Sequence, residues 1–214
     1  MIGAVIFDMD GLLTDSESIG IVGMQMSGRK QGVELPVSLI AETLGTTSEY
    51  SSRLYGQHYP DLDTHQLFVD FAEYMHGKAR RGEIPLKKGA AELLRLLKEK
   101  GIPCAVASSA PLRTVELYLG QAGVLDYFQA FSTGGPDVKS KPAPDIFLRA
   151  AEKLGVAPEN CLVLEDSVNG VKAGWAAGMT VCMVPDLKPY FEELAPYCDY
   201  VKEDLLAVMP LVNL

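Results

Sequence analysis

Basic residues are scarce in this chain of 214 residues, which has 19 Lys and Arg against 28 Asp and Glu and a formal net charge of −9. A nucleic-acid-binding surface needs clustered positive charge, so this balance argues against a nucleic-acid partner. Positive charge gathers at Arg29–Lys30 and within 78–81, and both groups are typical of solvated helix ends.

Long hydrophobic runs are also missing. No uninterrupted apolar stretch is long enough to cross a bilayer, so we expect no membrane span. The apolar run at the N-terminus is too short for a signal peptide and has no basic residues before it. We therefore expect a cytoplasmic protein.

Cysteine and tryptophan are rare, with four Cys and one Trp. The cysteines are widely spaced without a CxxC pair, and three of them lie in apolar, strand-like runs. This pattern is typical of small buried core residues in a reducing compartment, and it argues against a structural zinc site. The three histidines, His58, His65 and His76, lack metal-ligand spacing, and we predict that they are surface or packing residues. Trp175 follows helical spacing and is predicted to lie in the core.

The first fifteen residues contain the most informative stretch. Ile2 to Phe7 is a short, β-branched-rich apolar run, which predicts a buried strand. It ends in Asp8-Met9-Asp10-Gly11, where the glycine permits a sharp turn. Two carboxylates at this position are costly without a compensating cation, which favours a functional site. The alternative is that both aspartates are ordinary turn residues.

The periodicity of the rest of the chain predicts an α/β fold. Helices are predicted near 17–32, 36–44, 47–59 and 63–80, with no strand-like run between them. From Pro85 onward, strands alternate with helices of about a dozen residues, which indicates a doubly wound parallel sheet. The later strands are predicted at 104–107, 129–133, 162–164, 181–184 and 200–201. We predict a core of residues 1–15 and 84–214 and an inserted helical subdomain, 16–83.

Polar residues follow three of the predicted strands: Asp8 and Asp10, Ser108 and Ser109, and Glu165 and Asp166. Parallel strands point their carboxyl ends the same way, so these groups could share one crevice. Lys141, on a loop before a helix, is positioned to join them. The alternatives are a helix N-cap for Ser108, a solvated loop lysine for Lys141 and helix-start charges at 165–167. The coincidence of these groups at successive strand ends favours a site.

These residue types fit phosphoryl transfer. Asp8 would form an aspartyl-phosphate as the nucleophile. Asp10 would protonate the leaving oxygen and then deprotonate the attacking water. Lys141 would offset the negative charge, and the Ser108 hydroxyl and the Ser109 backbone N–H would bind phosphate oxygens.

A hard cation completes the predicted chemistry. Mg²⁺ prefers oxygen ligands, and it would bring the nucleophile and the phosphate together. The predicted metal ligands are Asp8, Asp166, Glu165 and the backbone carbonyl of Asp10.

Four segments, FDMDG, VASS, SKPAPDIF and LEDSVNGVKAG in this order, resemble the motifs of the haloacid dehalogenase-like hydrolases. The resemblance is to the branch of β-phosphoglucomutase and phosphoglycolate phosphatase, and it is weak in the inserted helices. It implies a Rossmann-like core, an α-helical cap that closes over the site, and Mg²⁺ as cofactor. It also implies the roles given above for the residues that match: Asp8, Asp10, Ser108, Lys141 and Asp166.

Within this family, the second aspartate, Asp10, argues against haloacid dehalogenation. Sugar phosphomutases carry a histidine shortly after the first motif and a cap arginine for the distal phosphate. Neither is visible in 15–20 or 45–49, although Arg53 could substitute. The sequence therefore favours a phosphatase of small phosphorylated metabolites, sugar phosphates in particular, over a phosphomutase.

A non-enzymatic, receiver-like phosphoacceptor module is disfavoured by the chain length and the helical insertion. A monomer is the default expectation.

Overall fold

The computed structural model describes residues 2–44, 46–135 and 137–213, and within them six parallel strands form one sheet. In chain order they are β1 (Ala4–Phe7), β2 (Cys104–Ser108), β3 (Ala130–Thr133), β4 (Cys161–Glu165), β5 (Thr180–Met183) and β6 (Tyr200–Val201). Their spatial order is β3-β2-β1-β4-β5-β6. The first strand therefore lies inside the sheet, between β2 and β4. The predicted doubly wound α/β fold is confirmed.

Four helices lie between β1 and the helix that leads into β2. They are α1 (Ser16–Lys30), α2 (Val37–Thr43), α3 (Ser48–His58) and α4 (Thr64–Arg80). The remaining α-helices of the described chain are α5 (Ala90–Glu99), α6 (Leu112–Gln121), α7 (Asp145–Leu154) and α8 (Val168–Ala176). Each corresponds to a helical segment predicted from the apolar periodicity.

The central strand is buried on both faces, as a parallel sheet requires. Successive side chains of a strand point to opposite faces. Val5 and Phe7 therefore join one apolar cluster with residues of α5 and α6, and Ala4 and Ile6 join the other with residues of α7 and α8. This packing fixes the position of the chain that follows Phe7.

The inserted helices have an apolar cluster of their own, which includes Met24, Leu35, Tyr55 and Leu67. Helices α1 and α4 approach closely because α1 contains glycines, and a Cβ on Gly23 would lie 2.6 Å from the Tyr74 side chain. The C-terminal half of α4 instead joins the core cluster through Met75 and Ala79. The division of the chain into a core and a cap stays a prediction.

Two expectations about buried residues have different outcomes. Cys104, Cys161 and Cys182 are buried in strands, as predicted. The prediction for Trp175 was wrong, because its side chain is 53% exposed and packs edge-on against Tyr197. The small residues of α8, such as Gly174, face the sheet instead, since a Cβ there would lie 3.0 Å from Val181. None of the helices in the described ranges combines the length and apolarity needed to cross a membrane.

Candidate active site

The predicted residues converge at the carboxyl edge of the sheet, where β1, β2 and β4 end side by side. A cavity of about 760 Å³ opens there, between the strand ends and the inserted helices. From the sheet side it is lined by Asp8, Asp10, Ser109, Lys141 and Asp166. The sequence prediction of a shared crevice therefore agrees with the arrangement of these side chains.

Lys141 lies at the centre of the polar cluster. Its ammonium donates to Oδ1 of Asp8 at 2.5 Å, to Oε1 of Glu165 at 2.6 Å and to the carbonyl of Ala107 at 3.1 Å. It also lies 4.9 Å from the ring centroid of Phe147 in α7. The side chain is only 7% exposed, so the alternative of a solvated loop lysine was wrong.

Glu165 is completely buried, and both of its carboxylate oxygens have partners. Oε1 accepts from Lys141, and Oε2 accepts from the backbone N–H and the hydroxyl of Ser167, each at 2.9 Å. Gly170 leaves the space for this carboxylate, because a Cβ there would overlap it. Ser167 caps α8 by accepting from the Gly170 N–H. Glu165 therefore orients Lys141, and its predicted role as a metal ligand stays a prediction.

Asp10 is held by two hydroxyl groups. Ser16 donates to its Oδ1 at 2.7 Å, and Ser108 donates to its Oδ2 at 3.4 Å. The Ser108 hydroxyl also accepts from the Ala110 N–H at 3.1 Å, ahead of Pro111 at the N-cap of α6. The N-cap alternative for Ser108 was therefore wrong. Ser108 is completely buried, whereas its exposed neighbour at position 109 lines the cavity.

Gly11 makes room for Asp166. Its φ of +84° lies in the left-handed region, which allows the chain to turn away from β1. A Cβ on Gly11 would lie 2.5 Å from Oδ2 of Asp166, so only glycine permits this approach. The turn thus brings the carboxylates at the ends of β1 and β4 together.

Negative charge exceeds positive charge in this cluster, where one ammonium serves several carboxylates. Burial raises the pKa of Asp8 to about 8, although Lys141 opposes the shift. Burial also raises the pKa values of Asp10 and Asp166. Burial acts against the charge of Lys141, but Asp8 and Glu165 outweigh it and raise the lysine pKa. A hard divalent cation would relieve this crowding, and an all-oxygen donor set suits it.

Among the described residues, no group of three or more His, Cys, Asp or Glu side chains is arranged to hold an ion. Mg²⁺ usually keeps several waters and binds through one or two carboxylates plus phosphate oxygens. The carboxylates of Asp8 and Asp166 and the carbonyl of Asp10 fit such a site, because Mg²⁺ does not need protein ligands on every side.

The structure adds cavity residues that the sequence reasoning did not single out. Glu17, in the first turn of α1, lies beside Gly11, and burial raises its pKa to about 7. His65, predicted to be a surface or packing residue, lines the cavity. An acidic residue in the first turn of a helix is usually explained by its favourable interaction with the helix dipole. The sequence therefore gave no sign that Glu17 lines a cavity.

Arg53, the predicted substitute for a cap arginine, points elsewhere. It is absent from the described residues that line the cavity, and its guanidinium carbon lies 5.6 Å from the Tyr50 ring centroid. The structure thus gives Arg53 no contact with the site.

Comparison with known proteins decides the family, because the model of haloacid dehalogenase-like hydrolases matches residues 2–178. The chain belongs to this family. It is 38% identical over 192 residues to a probable pseudouridine-5'-phosphatase of Drosophila melanogaster, covering 85% of this chain and 80% of that one. It is 35% identical over 192 residues to hexitol phosphatase B of Escherichia coli strain K12, covering 85% of this chain and 83% of that one.

A solved structure agrees with this assignment. CbbY of Rhodobacter sphaeroides in complex with phosphate superposes with a TM-score of 0.84 at 29% identity, covering 97% of this chain and 96% of that one. The predicted family is confirmed. The family is one of hydrolases, and these relatives are named as phosphatases. This protein is therefore a phosphoric monoester hydrolase.

Proposed function

We propose that this hydrolase is an Mg²⁺-dependent phosphatase of small phosphorylated metabolites, sugar phosphates in particular, which forms an aspartyl-phosphate on Asp8. The observation that carries the proposal is the contact between Lys141 and Asp8 at the floor of a cavity large enough for a small ester. A relative's solved structure with bound phosphate supports the assignment.

The nucleophile is oriented by its contact with Lys141. The ammonium binds Oδ1 of Asp8, and we assign the attack on phosphorus to Oδ2. Lys141 also offsets charge as the two anions approach, which is where a fixed cation contributes most to the rate. Glu165 and Ser167 act through Lys141 by fixing its position.

Asp10 is assigned to proton transfer. Because burial raises its pKa, the carboxyl group can carry a proton to the leaving oxygen. The same group, then ionised, takes a proton from the water that hydrolyses the aspartyl-phosphate. Ser16 and Ser108 hold one oxygen each, which fixes the direction of transfer.

The predicted metal ligands are Asp8, Asp166, Glu165 and the Asp10 carbonyl. Mg²⁺ held by these residues would supply positive charge that offsets the charge of the nucleophile and of the phosphate. Because Glu165 already contacts Lys141 and Ser167, we expect the carboxylates of Asp8 and Asp166 to contribute most. For phosphate binding we assign Lys141 and Ser109 at the cavity wall. The predicted phosphate contact of Ser108 stays a prediction, because its hydroxyl donates to Asp10.

The experiment measures phosphate release from sugar phosphates, phosphoglycolate and nucleoside monophosphates, with Mg²⁺ or with EDTA. Asp8→Asn should abolish release, and Asp126→Asn, at an exposed position, is the matched control that should retain it. Isomerisation of β-glucose 1-phosphate in the presence of a bisphosphate, without phosphate release, would indicate a phosphomutase. A persistent phosphoryl group on Asp8 after acetyl-phosphate treatment, without turnover, would indicate a receiver-like module.

A further inference from the structure

The wall of the cavity opposite Asp8 is built by the inserted helices. Its apolar part comprises Met24, Ile40, Phe68, Val69 and Phe71. Its polar part comprises hydroxyl groups, among them those of Thr43, Thr46 and Ser51. An ester held by its phosphate at Lys141 would place the rest of the molecule against this wall.

The hydroxyl groups of Thr43, Thr46 and Ser51 have already used their hydrogens. Thr43 donates to the Ile40 carbonyl at 2.7 Å, and Thr46 donates to the Thr43 carbonyl at 2.7 Å. Ser51 has the Thr47 carbonyl at 3.1 Å and the Thr46 hydroxyl at 3.0 Å as acceptors. Each hydroxyl has a single hydrogen, so what remains towards the cavity is oxygen lone pairs. The wall can accept hydrogen bonds from a ligand.

The described lining residues of the cavity include few fixed cations. Among the described residues that line it, Lys141 is the only Lys or Arg, whereas Asp8, Asp10, Glu17 and Asp166 are carboxylates. Lys141 is already engaged by Asp8 and Glu165.

Two cations of the inserted helices and one on the loop after β5 have partners elsewhere. Lys30 forms an ion pair with Asp70 at 2.9 Å, and Arg53 lies over Tyr50. Lys188, on the loop after β5, donates to the Leu44 carbonyl at 2.8 Å. None of these three cations is among the lining residues described for the cavity.

We propose that this cavity selects phosphate monoesters whose remainder is uncharged, presents an apolar face and carries hydroxyl or N–H donors, and that it rejects esters with a second phosphate. This proposal rests on the phosphatase activity proposed above. A nucleoside or a sugar has the required donors, and 760 Å³ lies within the range of about 300–1,000 Å³ found for small-molecule sites.

The physical reason is the mismatch that a second phosphate meets. Its oxygens are hydrogen-bond acceptors, and the hydroxyls of Thr43, Thr46 and Ser51 offer only lone pairs. It would also lose its hydration near several carboxylates without gaining a further Lys or Arg partner from the described lining residues, which is strongly unfavourable. An uncharged remainder instead gains hydrogen bonds from its donors and contact with the Phe68 and Phe71 side chains.

The test compares kcat/KM for pairs of substrates that differ by one phosphate. Suitable pairs are fructose 6-phosphate with fructose 1,6-bisphosphate, and uridine 5'-monophosphate with uridine 3',5'-bisphosphate. We expect the bisphosphate to be at least about tenfold poorer in each pair, the equivalent of one charge-assisted hydrogen bond. Equal values within a pair would overturn the proposal.

p-Nitrophenyl phosphate separates failure of this proposal from failure of the proposed function. If Asp8-dependent release from it occurs while both members of each pair react equally, the phosphatase stands and the selectivity does not. If neither p-nitrophenyl phosphate nor any member of the pairs is cleaved, the phosphatase proposal fails and this one fails with it.

A lysine introduced into the wall provides a second test. Val69 is 39% exposed and lines the cavity. The lysine of Val69→Lys can therefore place a cation in the wall while its ammonium stays in contact with water. We expect it to raise the ratio of bisphosphate to monophosphate kcat/KM about tenfold, because the new cation pairs with the second phosphate. Gln57→Lys, at an exposed position of α3, is the matched control and should leave the ratio unchanged. An unchanged ratio in Val69→Lys, with p-nitrophenyl phosphate still cleaved, would count against the proposal.

Discussion

The ammonium of Lys141 lies 2.5 Å from Oδ1 of Asp8, although 133 residues separate the two in the chain. Both side chains are almost completely buried. Glu165 shares the same ammonium, so removing this one positive charge would leave two buried carboxylates facing each other. The contact therefore joins the stability of the protein to its chemistry.

Replacement of Lys141 should reduce both the stability of the protein and its activity. We expect Lys141→Met to lower kcat by about 10²–10³-fold, as seen when a fixed charge-stabilising group is removed. The unpaired carboxylates should reduce the free energy of unfolding by about 3–5 kcal/mol. Phosphate release and urea denaturation measure the two effects. Lys139→Met, at an exposed lysine of the same loop, should change neither, and near-normal kcat in Lys141→Met would contradict the assigned role.

Gly170 should not tolerate a side chain. Alanine favours a helix over glycine by about 1 kcal/mol, yet in Gly170→Ala the new Cβ would occupy the position of the Glu165 carboxylate. We expect Glu165 to lose its contact with Lys141, with kcat and the melting temperature both reduced.

Gly56→Ala is the matched control for Gly170→Ala. Gly56 lies within α3, and a Cβ there would meet nothing within 4 Å. Its melting temperature should stay the same or rise. Unchanged kcat in Gly170→Ala would show that the position of Glu165 does not matter for the reaction.

Removal of divalent cations should abolish phosphate release, and added Mg²⁺ should restore it. Mg²⁺ should also stabilise the fold, because it relieves repulsion among Asp8, Asp10 and Asp166. At ten times its Kd the expected gain is about 1.4 kcal/mol, or about 3–6 °C in the melting temperature. Asp166→Asn should show a smaller shift, whereas Asp126→Asn should keep the full one. A shift of full size in Asp166→Asn would remove Asp166 from the set of ligands.

The ion pair between Lys30 and Asp70 should make the packing of α1 on α4 depend on pH. The hydrogen bond from Lys30 lowers the pKa of Asp70 below its unfolded value of about 3.9. The stabilisation is therefore present above that value and is lost as the pH falls through the lower, folded-state pKa. Asp70→Asn should thus be less stable than the wild type at pH 7, with the difference shrinking below pH 4.

Urea denaturation at several pH values measures this dependence. Asp61→Asn, at an exposed position, controls for the loss of one carboxylate. A difference between Asp70→Asn and the wild type that stays constant from pH 7 to pH 3 would show that the ion pair is not its source.

Local sequence patterns were enough to predict the helices and strands and the sheet edge at which the polar residues meet. Apolar runs with different periods distinguish strands from helices, and parallel strands must end at the same edge. Residues 2–7, the serines at 108 and 109, and the acidic pair at 165 and 166 could therefore be placed from local pattern alone. The four inserted helices were predicted for the same reason, since their apolar residues recur at helical spacing.

Which groups contact each other, and which face the cavity, depends on how distant segments pack in the folded chain. Contacts such as Lys141 with Asp8 depend on packing between distant segments, and no local pattern reports them. The same holds for Trp175, which is exposed because glycines in α8 occupy the face against the sheet. It holds also for the cavity wall, where the carbonyl groups beside Thr43, Thr46 and Ser51 determine the direction of their hydroxyl hydrogens. Burial and hydrogen-bond direction are properties of the assembled chain, and they decide what the cavity can bind.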